Sequence, residues 1–183
     1  MADLSFTSPI YFSKRLRRWF WILLCLNLVF ILCSRYYLGT LSTREIIQFE
    51  IAKEVPVAEN IVRGWTTPDD TILKKAIEAI YLDYIFIILY TVGLSIACIY
   101  LSQLTGHQIL KRAGRFIQFL IIGAGICDVI ENIAMWKSLH GRLNTWNVTI
   151  AYDMAVTKFS ILILAMLFIV ICFIFYLLRK AGK

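Results

Sequence analysis

Charge is scarce in this chain. Only 17% of its 183 residues are Asp, Glu, Lys or Arg, where a soluble domain carries about a quarter. Histidine is scarcer: His107 and His140 are the two, and each falls in a different connection between apolar runs. That removes the basis for a haem or zinc centre inside those runs, and for a serine or cysteine nucleophile with a histidine beside it. No CxxC pair occurs among Cys25, Cys33, Cys98, Cys127 and Cys172, so thiol redox chemistry and a structural metal have no support. All five sit in apolar segments and read as buried, inert thiols. The net charge of +7 comes without a nucleic-acid recognition motif, and nucleic acid is not an expected partner. A lone lysine within an apolar stretch is a weak basis for a retinal Schiff base. No cofactor is indicated.

What the sequence has in excess is apolar length. Hydrophobic residues make up 60% of the chain and fall into four blocks. The spans are expected at about 19–38, 79–100, 116–135 and 151–178, each long enough for a bilayer core. The first block follows Lys14, Arg15, Arg17 and Arg18 and lacks a small-x-small cleavage site in its tail CSRYYLG. It reads as a retained signal-anchor helix. The fold class is therefore all-α, a polytopic integral membrane four-helix bundle, with residues 1–183 forming one membrane domain.

Residues 39–78 form the long extracytoplasmic connection. Ser42 and Glu45 make a capping-box pattern, and Ile46, Ile47, Phe49 and Ile51 give an apolar side. These predict a short amphipathic helix ending before Pro56. A second helix start is expected at Thr67-Pro68-Asp69-Asp70, with Pro68 in the first helical position and the carboxylates at the positive end of the dipole.

Lys111, Arg112 and Arg115 precede the third span, and Arg179, Lys180 and Lys183 follow the fourth. With the N-terminal basic run, they place both termini in the cytoplasm of a cell (inner) membrane. The Asn147-Val-Thr149 sequon then lies on the outer side.

Polar residues inside apolar blocks are the candidates for function. In this topology Asp83, Asp128, Glu131, Asn132 and Lys158 fall at one membrane level toward the outer side. Asp128 lies about 19 Å along its helix from the inner end, too deep for a short side chain to reach water. An ionised carboxylate there costs several kcal/mol unless it is paired, neutralised or hydrated. Asp128, Glu131 and Asn132 stand at i, i+3 and i+4, on one helical face. Ala76, Asp83, Tyr90 and Ala97 recur every seven residues and form a seam for that face. Gly93 and Ala97 on one helix, and Gly123, Ala124 and Gly125 on the other, permit close approach. Lys158 either pairs with Asp128 and Glu131 or snorkels to the headgroups. Tyr84, Tyr90 and Asp153 are secondary candidates.

Three functions fit these residues. In a cation- or proton-coupled transporter or channel subunit, Asp128 and Glu131 would carry the ion while Asp83 gates access. Four spans without an inverted repeat would then require a homo-oligomer. In a membrane-embedded enzyme acting on a lipid or lipid-linked substrate, a carboxylate base with a nearby lysine and Tyr81, Tyr84 and Tyr90 suffices for acid–base work. A divalent ion would need the oxygens of Asp83, Asp128 and Glu131 to converge. In an accessory subunit, the cluster would hold helices together or engage other membrane subunits, with Trp19, Trp21, Trp65, Trp136 and Trp146 as interfacial anchors. Membrane lipid is a partner in every case. The segments YLDYIFIILY and GAGICDVIENIAM look like family motifs but attach to no characterised activity.

Overall fold

The computed structural model describes residues 9–39, 41–67 and 69–181, with side-chain surroundings from Lys14 onward. Among the described residues six α-helices follow one another: α1 (Pro9–Leu38), α2 (Thr43–Glu50), α3 (Val55–Trp65), α4 (Thr71–Thr105), α5 (Gln108–Lys137) and α6 (Thr145–Ala181). No strand occurs among the described residues. Four helical stretches are long and apolar enough to cross a membrane: Lys14–Leu38, Thr71–Thr105, Gln108–Arg142 and Thr145–Ala181. Each outruns the apolar block that marks it in the sequence, because helical hydrogen bonding continues after the hydrophobic residues stop.

The long helices do not share one symmetric core. α4, α5 and α6 pack against one another, and α1 rests chiefly on α4. The α1–α4 contact is partly polar, with the Asn27 amide donating to Leu89 O at 3.1 Å and to Leu23 O at 2.8 Å. Phe30 stacks on Phe86 with ring centroids 5.8 Å apart. At the end of the bundle where α1 begins and α6 ends, α4, α5 and α6 close an apolar cluster around Cys98, Ile117, Ile121, Ala165, Phe168 and Cys172. α2 and α3 lie at the opposite end, over a second cluster that includes Phe49, Ala58, Trp65, Ile80 and Met135.

The connection between α1 and α4 holds two helices where one is expected. Pro56 does not follow the amphipathic helix at a distance; it opens α3, in whose first turn it sits. A proline there gives up an N–H that has no helical partner anyway. Ala58, Ile61, Val62 and Trp65 follow at i, i+3, i+4 and i+7, and all face inward. Ser42 does stand at the N-cap of α2 with extended backbone, yet its side chain makes no capping bond. The expected capping box is absent because Glu45 is engaged elsewhere: its Oε2 accepts from Trp65 Nε1 at 3.0 Å. That bond ties α2 to α3. The Phe49 and Trp65 rings meet edge-on beside it.

Other expectations are revised at helix ends. α4 starts at Thr71 with Asp70 at the N-cap, three residues later than the expected start at Pro68, which lies outside the described residues. Asp69 Oδ1 accepts from the Thr71 N–H and so ends the preceding turn. α5 runs into a π-helical turn, Ser138–Arg142, that Gly141 leaves at φ 80°. Asn147 of the sequon is buried and donates its amide to Arg142 O at 2.8 Å, which makes it a structural brace of the α5–α6 turn. Lys183 lies outside the described residues.

Burial of the cysteines follows the packing rather than the sequence. Cys98 and Cys172 are buried, Cys127 is partly so, and Cys25 and Cys33 are exposed on α1. A helix apolar all round gives no sign of which side faces a neighbour. The small residues divide similarly. A Cβ on Gly125 would meet Thr91 of α4, and one on Gly93 would meet Asn27 of α1, whereas Gly123 faces open space.

Gly114 is the tightest α4–α5 approach, since an added Cβ would lie 2.7 Å from Ser102 Oγ and 3.1 Å from Cys98 O. Gly114→Ala is expected to destabilise the protein by about 1–3 kcal/mol. Gly123→Ala is expected to stabilise it by about 0.5–1 kcal/mol through helix propensity. Reversible denaturant unfolding in detergent measures both, and equal effects at the two sites would contradict this packing.

Candidate functional site

Asp128 faces the interior for the reason that makes it costly: the other sides of α5 at that level carry the exposed Ile126, Ile130 and Ile133. Burial of α5's polar face is close to complete, with Asp128 4%, Glu131 0% and Asn132 1% exposed. Lys158 comes from α6, and it pairs rather than snorkels. It is 5% exposed, and its Nζ donates to Asp128 Oδ1 at 2.6 Å and to Glu131 Oε1 at 2.9 Å.

α4 completes the arrangement through its heptad seam. Tyr90 OH donates to Asp128 Oδ2 at 2.8 Å, so both oxygens of that carboxylate are engaged. Seven residues away, Asp83 Oδ2 accepts from Asn132 Nδ2 at 2.6 Å. Six residues from three helices therefore form two linked groups, Tyr90–Asp128–Lys158–Glu131 and Asp83–Asn132, joined through adjacent turns of α5. Glu131 Oε2 is the loose end. It lies 2.9 Å from Lys158 Nζ but has no hydrogen-bond partner.

One member was not anticipated. Glu50, the last residue of α2, brings Oε2 to 3.8 Å from Lys158 Nζ. Burial pushes its carboxyl up to about 7, against the opposing pull of Lys158 and with help from Asp83 and Asp128. Its signal in the sequence is modest: it follows Ile46 by four, which puts an acid on the apolar face of an amphipathic helix. Two secondary candidates fall outside. Asp153 is exposed, and its backbone carbonyl, not its carboxylate, accepts from Thr157 Oγ1. Tyr84 packs at the edge of the apolar cluster beneath α2 and α3.

Four carboxyl groups (Glu50, Asp83, Asp128, Glu131) thus face one ammonium. Fully ionised, the group would carry three uncompensated negative charges in a low-dielectric interior, an arrangement that burial disfavours. Among the described residues no three His, Cys, Asp or Glu side chains stand together as a metal site requires. The oxygens of Asp83, Asp128 and Glu131 do not converge on one point; Lys158 occupies the centre.

A cavity of about 820 Å³ reaches this cluster from one side. Glu50, Asp83 and Asn132 form its polar depth, while Phe30, Ile31, Phe49, Ile80 and Phe86 are among its apolar walls. It exists because α1 touches little besides α4, leaving a gap beneath α2.

Asp128→Leu would strip Lys158 and Tyr90 of a shared partner, and a loss of about 3–5 kcal/mol is expected from breaking a buried pair. Unchanged melting of the variant in detergent would contradict the pairing. For Glu50, a folded-state pKa above the unfolded value means that the folded protein binds the extra proton between about pH 4.5 and 7. Its contribution to stability is present below that window and is lost as pH rises through it. Melting temperature is expected to fall between pH 5 and 8, with a smaller fall in Glu50→Gln; parallel profiles for the two proteins would contradict the burial of Glu50.

Compared with models of protein families, with curated proteins and with solved structures, the chain matches none, and its chemistry rests on its own residues.

Proposed function

We propose that the chain is a multi-pass membrane enzyme that transfers protons on a lipid or lipid-linked substrate. The four long helices cross the bilayer with both termini in the cytoplasm and α2 and α3 on the far side. Charge supports this orientation: Lys14, Arg15, Arg17, Arg18, Lys111, Arg112, Arg115, Arg179 and Lys180 all belong to the end of the bundle where α1 begins and α6 ends, as cytoplasmic ends require.

The carrying observation is the cavity. Its volume of about 820 Å³ suits a ligand of drug size or the proximal part of a lipid. Its walls are mainly apolar, and two carboxyls, Glu50 and Asp83, are among the polar groups that line it. Asp83, held by Asn132, is the candidate base. Glu50, with a carboxyl pushed up to about 7, is the candidate proton donor, since acid–base groups work best near ambient pH. Asp128, Glu131, Lys158 and Tyr90 line no part of the cavity; they fix α4, α5 and α6 so that Asp83 and Glu50 keep their places.

The excess of acid over lysine favours a second reading, coupled movement of a proton or cation. Against it, the half of the bundle nearer the termini is closed by the apolar cluster around Ile121 and Phe168. A path through that half would need another copy of the chain.

Purified protein incubated in D2O with lipid extract tests the choice. Deuterium entering a lipid carbon with wild type, and falling at least about a hundredfold in Asp83→Asn, is the expected result. Proton flux in reconstituted vesicles that Asp83→Asn abolishes, with no labelled lipid, would overturn the enzyme in favour of the transporter.

A further inference from the structure

The cavity is bipolar, with basic residues as well as carboxyls in its lining. Arg35, near the end of α1, and Arg44, in the first turn of α2, both line it, together with Ser34, Ser42 and Thr43. Neither arginine forms an ion pair with a carboxylate among the described residues. Arg35 makes one side-chain contact, a long 3.4 Å bond from Nη1 to Thr43 Oγ1. Two arginines without a carboxylate partner give one side of a largely apolar cavity a positive lining.

We propose that the cavity selects a membrane lipid with an anionic, phosphate-bearing headgroup, whose phosphate is held by Arg35 and Arg44. The inference rests on reading the cavity as a lipid site. Guanidinium groups suit phosphate because their planar donor forks match its oxygens. Depth agrees with this assignment. Phe30 stacks on Phe86, so the antiparallel helices α1 and α4 are level there. Arg35 is five residues beyond Phe30, and Asp83 is three residues beyond Phe86 in the same direction. At 1.5 Å per residue the two differ in height by about 3 Å. A phosphate at Arg35 therefore sets the first few bonds below the headgroup beside Asp83 and Glu50, while the chain lies along Phe30, Ile31 and Phe86. Placed the other way, the phosphate would meet two carboxyls and be repelled.

The test uses detergent-solubilised full-length protein and two single-chain probes with the same acyl chain, a lysophosphatidic acid and a neutral monoacylglycerol. Wild type is expected to bind the phosphate-bearing probe at least about tenfold more tightly, equal to one 1.4 kcal/mol step in affinity. Arg35→Gln with Arg44→Gln, both exposed positions, is expected to reduce that preference to about twofold while the neutral probe binds as before. Equal binding of the two probes by wild type, or an undiminished preference in the double variant, would overturn the proposal. Displacement of the anionic probe by millimolar inorganic phosphate alone would also overturn it, in favour of a free-anion site. Ala79→Trp, which fills the cavity, is expected to abolish both affinities, and retained binding would overturn the location. The deuterium assay is separate: selective binding without turnover leaves the headgroup assignment standing and removes the enzyme, whereas turnover without selectivity does the reverse.

Discussion

A single ammonium group orders the interior of this protein. Lys158 of α6 meets Asp128 and Glu131 of α5 directly, and Glu50 of α2 stands within reach. Asp128 passes the constraint to α4 through Tyr90. A shift of α5 by one residue would turn its acids out of reach of Lys158, so the pairings fix rotation and register that Leu–Ile contacts alone leave free. Charges buried in this way need not add stability, but their geometry is unforgiving. The position of the α2 end, and with it one wall of the cavity, depends on that arrangement.

Packing around the cluster separates two tasks. α4, α5 and α6 form a tight core in which Gly114 and Gly125 allow close backbone approach. α1 contributes little to that core and lies chiefly against α4. The first arrangement supplies rigidity for the carboxyl groups, and the second leaves the space in which a ligand could meet them. Chemistry at Asp83 and Glu50 would thus occur at a boundary between a fixed wall and a lightly held one.

How far the sequence disclosed this follows from the energetics of each feature. Asp128, Glu131, Asn132 and Lys158 were legible because ionisable groups in apolar helices are expensive and must find one another. The seven-residue spacing of Asp83 and Tyr90 was legible for the same reason, since a seam has a period. Glu50 was hidden by its setting, a polar connection in which one more acid attracts no notice. α3 was hidden by a proline that reads as a breaker when its place in the first turn is unknown, although Ala58, Ile61, Val62 and Trp65 carry the helical period. Neither the cavity nor the exposure of Cys25 and Cys33 could be read, because both depend on which neighbours α1 lacks.

The short π-helical turn between α5 and α6 has a consequence for how such a chain enters a membrane. On the proposed topology, α5 alone would present two acids to lipid, at a cost of roughly 2.5–3.5 kcal/mol for a central aspartate on insertion scales. α6 alone would present a lysine at similar cost. The turn Ser138–Arg142, braced by Asn147, keeps the two helices within a few residues of each other from the moment the second is made. Their opposite charges can then neutralise each other before either helix faces hydrocarbon, so the natural unit of insertion is the hairpin.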